Sequence, residues 1–516
     1  MRTPLTSLEG QTFDTAVIGG GAAGASAAQH LAAKGFRTLL IDKGDFASGT
    51  TSRSSRLLYC GLAYFSPDYA LWRFAYRWGD LKNRIAMARL AMQCRTQLAV
   101  TMPERLSRHT FFFPVFRDGA FPAWKVDLGY RALSLFGSPQ APLGYHRLPG
   151  AKAAEQYGLV RLMDQRRLDS VGVFQEYQYK WAERICLDTV LDAERCGAAV
   201  RNYTRVAAIE PLADKRWRLT LEDTLAKGVT ARIEANGLVN TAGPWADRVT
   251  AQVVPHPKPR LVGIKGVNVM VKLPDDCRGL GMETISSIGQ PFYCMPWGDY
   301  HFFGPTETIF EDDPDAVRVL PEELSFILGE ANRVFPSLKL TTEDVIYSWC
   351  GVRPRTTSDG DEGVKSVKIH DLAEEGMPNA LALTGTPIMV HRHAGRKIAE
   401  RMAGMLRPSG TPRPLSYGAK LPPANDAPGA SIPVEALRHA AAHEHAATLT
   451  DLMFRRVMIG WNPGMGVSEA RAAAEAVADV LGWDDARITA EVDAYLAFIA
   501  EHFAPAALRT RRAAVA

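Results

Sequence analysis

Gly19-Gly20-Gly21-Ala22-Ala23-Gly24 follows an apolar run at 13–18 and leads into Ala25-Ser26-Ala27-Ala28-Gln29-His30-Leu31-Ala32-Ala33. The order is strand, glycine turn, small-residue helix. The pattern G-x-G-x-x-G falls on Gly19, Gly21 and Gly24. Gly19 permits the tight turn, Gly21 has no side chain to block a pyrophosphate, and Gly24 lets the helix pack closely on the strand. Backbone N–H groups at the helix start, around Ala22 and Ala23, then face the anion. The chain has 43 glycines, so a glycine triad alone carries little weight. Its context adds the weight: a second strand, 37–43, carries Asp42, 18 residues past Gly24. An acid there can accept hydrogen bonds from both ribose hydroxyls of an adenosine half. Asp42 and the adjacent Lys43 are therefore candidate binding residues for a dinucleotide.

Composition sets the bounds. The 516 residues suffice for two or three domains, and 47% hydrophobic with 22% charged residues is the balance of a soluble globular protein. A net charge of +4 is small for this length and argues against nucleic-acid binding, which concentrates basic charge. The seven cysteines are scattered, and none forms a C-x-x-C pair. They read as structural thiols in a reducing, cytoplasmic compartment, and no metal site is expected. No run of 18 apolar residues exists, so no membrane-spanning helix is expected.

NAD and FAD share the glycine turn, and the rest of the chain separates them. A nicotinamide dehydrogenase would continue with regular βα units. Here residues 44–56 form an irregular loop rich in hydroxyls, with Thr51, Ser52 and Ser55 among them. Such a loop suits a long cofactor threading through the protein. A strand then ends at Asn240-Thr241-Ala242-Gly243, and a later one at Thr384-Gly385. Strand ends that return to one nucleotide are the flavoprotein way of enclosing FAD. No second strand–G-x-G-x-x-G–helix unit follows, so the substrate itself is expected to reduce the flavin.

Further along, 64–100 reads as helical, with Trp72, Phe74, Tyr76 and Trp78 alternating with Arg73 and Arg77. Basic and aromatic residues together suit a membrane surface, and equally a domain-packing helix. Residues 121–137 give an amphipathic segment. Strands are expected at 201–210, 216–222, 231–241, 266–272, 292–297 and 300–303. A helix is expected at 321–335, closed by Phe335-Pro336. The Pro/Gly-rich stretch 407–433 reads as a linker. Two long Ala-rich helices are expected beyond it, at 468–481 and 485–502.

The chain resembles the FAD-dependent glycerol-3-phosphate dehydrogenases, within the D-amino-acid-oxidase-like flavoproteins. The resemblance rests on VIGGGAAGASAA, the loop DFASGTTSRSSRLL with GLAYF after it, NTAGPWAD, IKG at 264–266, MPW with GPTET after it, GVRP at 351–354, and the helical ending LGWDDARITAEVDAY. It implies an α/β fold plus α: a Rossmann-like FAD-binding domain, an antiparallel β-sheet substrate domain, and a C-terminal all-α cap. The expected layout places FAD parts at about 10–65, 150–255 and 345–405. Substrate parts fall at about 66–149 and 256–344, a linker at 406–430, and the helical domain at 431–516. Carried over, Gly19, Gly21 and Gly24 hold the pyrophosphate and Asp42 the ribose. Thr51, Ser52 and Ser55 line the flavin side of the loop, and Val206 meets the adenine. Ala242, Gly243 and Gly385 lie against the cofactor, and Arg353, the arginine of GVRP, faces the substrate.

The departures fall on the catalytic face. Where the family reads S-S-K-L-I-H-G-G-L-R-Y-L, this chain has Tyr59 for the histidine, Cys60 for a glycine and Ala63 for the arginine. The family's late G-G-K-L-T-T-Y-R reads here Thr384-Gly385-Thr386-Pro387-Ile388-Met389-Val390-His391-Arg392-His393. A phosphate monoester favours several cationic partners, and each lost charge-assisted hydrogen bond is worth roughly 1.5–3 kcal/mol. His391 and His393 are the candidate bases, Tyr59 can orient a hydroxyl, and Arg353 can clamp an anionic end. The expected activity is hydride transfer from a small polyol phosphate or related hydroxy compound to FAD, with electrons passed on to quinone. An amine or amino-acid oxidase using oxygen, and a catalytically inactive flavin-binding homologue, remain as alternatives. Peripheral contact with the inner face of the cytoplasmic membrane and a homodimer stay open.

Overall fold

The computed structural model describes residues 2–61, 78–119, 121–357, 367–417 and 432–504. The stretch containing Ala63, Trp72, Phe74 and Tyr76 lies outside them.

Strand β1, Thr12–Ile18, is buried along all but its first residue. A sheet covered on both faces asks for such a run of apolar residues. β1 lies parallel to β2, Thr38–Ile41, on one side and to the Thr230–Asn240 strand on the other. The parallel set continues outward to Ala199–Arg201 beyond β2 and to Ala380–Thr384 beyond Thr230–Asn240. One face is covered by helix α1, Ala22–Ala33, with the helices Ala182–Arg195 and His391–Met405 against it. Gly395 makes the second crossing close, since a Cβ there would stand 2.4 Å from Ser26 Oγ. The other face carries an antiparallel meander of Thr204–Pro211, Trp217–Asp223 and the first half of Thr230–Asn240. Because the five strands are parallel, their carboxyl ends lie along one edge, and ligands of open α/β sheets bind outside that edge.

A second, ten-stranded sheet stands over it. Its neighbours pair antiparallel except where Leu280–Ile285 runs parallel to Leu106–Phe116. Three of its members, Leu57–Leu58, Leu168–Tyr179 and Tyr347–Thr356, fall in stretches expected for the nucleotide-binding part. Leu168–Tyr179 pairs with Leu106–Phe116, and Tyr347–Thr356 pairs with Leu261–Val271 along ten residues. These strands alternate with neighbours far away in sequence, so local pattern did not assign them to a sheet. Tyr347–Thr356 is also the joint between the sheets. Pro354 C=O accepts the Gly385 N–H at 3.0 Å, and the hydroxyls of Thr356 and Thr384 are 2.8 Å apart.

The C-terminal helices do not stand apart as a cap. Trp461, Phe454 and Phe503 share one buried cluster with Tyr347 and Trp349 of the second sheet. A π-helical turn, Leu452–Arg456, points Arg455 and Arg456 together at the fully buried Asp45. The Ala-rich helix expected at 468–481 breaks into Ala470–Glu475 and Ala478–Leu481, and Gly482 in the left-handed conformation closes the second. Asp485–Phe503 runs as expected. The described part of the basic helix spans Trp78–Thr101. Its Arg95 is no solvated cation: it is fully buried against Glu176 at 3.2 Å. No helix among the described residues is long and apolar enough to cross a membrane.

Candidate functional site

A continuous cavity of about 940 Å³ runs along the carboxyl edge of the parallel strands and under the second sheet. That is at the upper end of the roughly 300–1,000 Å³ usual for ligand sites. At one end lie Gly19, Gly21, Ala22 and Ala23. Gly19 has φ +105°, and a Cβ there would sit 2.6 Å from Thr241 O. Gly24 does not line the cavity. Its task is packing, because a Cβ would stand 1.8 Å from Gly19 O. Gly21 is different: its φ of −74° suits any residue, and a Cβ there would meet nothing nearer than Thr51 Oγ1 at 3.2 Å. The missing side chain there leaves room for a ligand. Thr51 Oγ1 accepts the Ala22 N–H at 3.1 Å, which leaves other first-turn N–H groups of α1 facing the cavity with the helix's partial positive charge.

Asp42 lines the cavity at the end of β2. Its carboxylate accepts the N–H of Gly20 at 2.7 Å and of Gly44 at 2.8 Å. Burial pushes its pKa up to about 6 against the pull of those two bonds. Lys43 stacks its ammonium 4.2 Å over the Trp245 ring and pairs with Asp315. Val206 lies in the same wall. Ala242 and Gly243 line the middle, Gly243 at φ +57° with open space where a Cβ would go. Gly385, at φ +68°, lines it from the late strand.

Of the loop hydroxyls, Thr51 and Ser55 line the cavity. Ser52 does not: its Oγ donates to Ser48 O at 3.2 Å and Gly49 O at 3.0 Å and holds the loop from behind. Cys60 is fully buried in the core, outside the cavity wall.

The wall also holds Tyr59, Tyr293, Asn268, Glu307, Arg353, Arg355 and His391. Tyr59 and Tyr293 pack with ring centroids 6.5 Å apart. His391 opens the helix His391–Met405, and its Nδ1 stands 2.7 Å from Ile388 O. A carbonyl only accepts, so Nδ1 carries the proton and Nε2 the lone pair. Nε2 is buried with no hydrogen-bond partner. Burial first, then Arg392, lowers the His391 pKa to about 3, so the ring is neutral at ordinary pH. His393 is two residues on, about 200° round the helix. Its Nδ1 lies 3.4 Å from Arg396, and it does not line the cavity. Arg353 donates to Glu307 Oε1 at 3.1 Å and to Thr306 O at 2.9 Å. Burial lowers its pKa first, with Glu307 opposing.

Sequence reasoning named no role for Tyr293, Asn268, Glu307, Arg355 or Trp245. Two quoted motifs gave a signal: GPTET contains Glu307, and NTAGPWAD contains Trp245.

The cavity fits an extended dinucleotide with a redox ring. A glycine cradle lies at one helix N-terminus, an acid at the end of the next strand, and bare glycines at two more strand ends. Four buried polar atoms in its wall, Trp245 Nε1, Asn268 Oδ1, Thr386 Oγ1 and His391 Nε2, lack protein partners among the described residues. No cluster of three or more metal-ligating side chains exists among the described residues.

Comparison with known proteins gives the family and the fold. The family model described as DAO, FAD dependent oxidoreductase, matches residues 14–401. A glycerol-3-phosphate dehydrogenase of Synechocystis sp. is 27% identical over 420 residues, 79% of this chain and 73% of the relative. An aerobic glycerol-3-phosphate dehydrogenase of Staphylococcus haemolyticus is 26% identical over 413 residues, 78% of this chain and 69% of the relative. Among solved structures, the glycerol-3-phosphate dehydrogenase of Bacillus halodurans complexed with FAD superposes with a TM-score of 0.71 at 20% identity, over 96% of each chain.

Proposed function

The chain belongs to the FAD-dependent oxidoreductase family, and on that premise we propose that it oxidises a CH–OH group of a small anionic polyol phosphate or related hydroxy compound. FAD, when bound, supplies the hydride acceptor, and a quinone is the proposed onward acceptor. Gly19, Gly21, Ala22, Ala23, Asp42, Lys43, Thr51, Ser55, Val206, Ala242, Gly243 and Gly385 are the proposed cofactor contacts.

The observation that carries the reading is the continuity of one cavity from the glycine turn to Arg353 and His391. At the reacting end, Arg353 holds the anionic group through donors that Glu307 and Thr306 leave free. Its side chain is 38% exposed, so these donors can be reached. His391 takes the hydroxyl proton at Nε2, the nitrogen that the Ile388 carbonyl leaves unprotonated. Its low basicity rises once a buried anion lies nearby, because opposite charge favours the protonated ring. Tyr59 and Tyr293 wall the reacting carbon and exclude water, and the Tyr59 hydroxyl can orient the substrate hydroxyl. A positioned acid–base group contributes roughly 10²–10⁴ in rate.

The test is anaerobic. Polyol phosphates, hydroxy acids and amino acids are added singly to the flavin-loaded protein, and flavin absorbance is followed. Bleaching by a CH–OH compound supports the reading. Bleaching by amino acids alone would move the protein to the oxidase class.

A further inference from the structure

A second cavity, of about 370 Å³, lies between the loop 44–53 and the C-terminal helices. Ser52, which does not reach the large cavity, lines this one, while Gly44, Ser48 and Arg53 border both. The opposite wall is Phe454 and Arg455 of the π-helical turn and Ala494, Phe498 and Phe503 of the last helix. Ala494 is exposed, and Thr450 and Phe498 are half-buried, so solvent reaches that edge. Arg53 carries the charge of the site. Its stem is pinned under Gly351, where a Cβ would stand 2.4 Å from Arg53 Cβ. Its guanidinium lies 4.7 Å over the Phe503 ring and 5.7 Å over that of Phe498, which puts it on the side of the second cavity. No hydrogen bond or ion pair joins it to another described residue. Burial lowers its pKa to about 10, which leaves it charged. The other charges of this wall are matched. Asp45 takes Arg455 and Arg456, Asp451 takes Arg455, and Glu491 takes Arg487. Beyond the wall, Arg56 pairs with Glu183 and Arg318 with Glu501, and burial lowers the His502 pKa to about 4, so that ring is neutral. Three carboxylates thus meet three guanidiniums, and Arg53 is left over.

We propose that this second cavity is a ligand site for a small aromatic carboxylate, with its carboxylate on Arg53 and its ring among Phe454, Phe498 and Trp461. A charge taken out of water is stable only when paired, and a planar carboxylate matches the guanidinium edge with two parallel hydrogen bonds. The hydroxyls of Ser48 and Thr450, also in the wall, can donate to the same oxygens. The aromatic side chains supply the apolar contact that a ring gains and a free inorganic anion does not. The volume falls within the range of small-molecule sites. The site stands apart from the substrate end of the large cavity, since Arg353 and His391 belong to the large cavity alone.

The experiment uses the full chain loaded with FAD. 4-Bromobenzoate is soaked into its crystals and located by the anomalous signal of bromine. Benzoate and its neutral counterpart benzamide are titrated by calorimetry in Arg353→Met, so that an anion in the large cavity contributes little. Bromine is expected in the second cavity, with the carboxylate within hydrogen-bond distance of Arg53. Benzoate is expected to bind about tenfold or more tighter than benzamide. Arg53→Met should erase that preference. Ala494→Trp, whose indole enters the cavity from its exposed edge, should abolish benzoate binding there while one FAD per chain is retained. Bromine found only in the large cavity, or in neither, overturns the proposal. So do equal affinities for benzoate and benzamide, and binding seen in the crystal alone. A benzoate Kd unmoved in Ala494→Trp overturns it as well, whether or not Arg53→Met folds.

Discussion

Alanine at Gly21 and alanine at Gly24 should fail in different ways, although they lie on the same turn. At Gly24 the new Cβ would stand 1.8 Å from Gly19 O and 2.6 Å from Thr241 Oγ1. Both are fixed parts of the turn and the adjoining strand end, so α1 must lift off β1. Overpacking of that kind costs about 1–3 kcal/mol or more. At Gly21 the backbone φ is −74° and the nearest atom is 3.2 Å away, so the fold should lose no more than roughly 0.5 kcal/mol. The methyl instead enters the cavity where the pyrophosphate is expected. Losing one charge-assisted N–H bond to a phosphate costs about 1.5–3 kcal/mol, a roughly 10- to 150-fold rise in Kd. The assay has two arms: thermal unfolding of the deflavinated variants, and FAD titration by fluorescence quenching. Gly21→Ala should melt within about 2 °C of the parent and bind FAD weakly. Gly24→Ala should melt early. A Gly21→Ala protein that binds FAD as tightly as its parent would show that the pyrophosphate lies elsewhere.

Three further outcomes follow from single side chains. Asp42 has its pKa raised to about 6 in the free protein, and ribose hydroxyls would donate to its ionised form and lower that value. FAD affinity should therefore be flat above about pH 7 and fall by up to about tenfold per pH unit below pH 6. Asp42→Asn should bind weakly with no such slope, as read by titration across the range. His391 stays neutral in the free protein down to well below pH 5, so the second-order rate of flavin reduction at low substrate should show no loss between pH 8 and pH 5 from its protonation, and His391→Ala should slow the reduction step by roughly 10²–10⁴ in anaerobic stopped flow. Asp45→Ala removes the buried partner of Arg455 and Arg456 and should cost about 3–5 kcal/mol, seen as a lower urea midpoint.

The parts of the site that could be read from sequence are those fixed by the backbone. A G-x-G-x-x-G turn, an acid at the end of the next strand, and bare glycines at strand ends each demand a residue type at short spacing. Gly19, Asp42, Gly243 and Gly385 accordingly all reach the cavity or its turn. What remained illegible depends on direction or on distance along the chain. A hydroxyl run does not say which side chain faces in, and Ser52 faces out while Thr51 faces in. Two histidines a residue apart on one helix start point to nearly opposite sides, and only His391 reaches the cavity. Glu307 meets Arg353 across 46 residues, and Asp45 meets Arg456 across 411. Such pairings leave no local trace. The same holds for Leu168–Tyr179 and Tyr347–Thr356, whose sheet is decided by distant partners.

The most direct measurement is the visible spectrum and flavin stoichiometry of the purified protein after reconstitution with FAD. One FAD per chain is expected, with its absorbance bands displaced by small anions in the parent and not in Arg353→Met. A protein that stays colourless and retains no flavin would contradict the assignment of the cavity at its root.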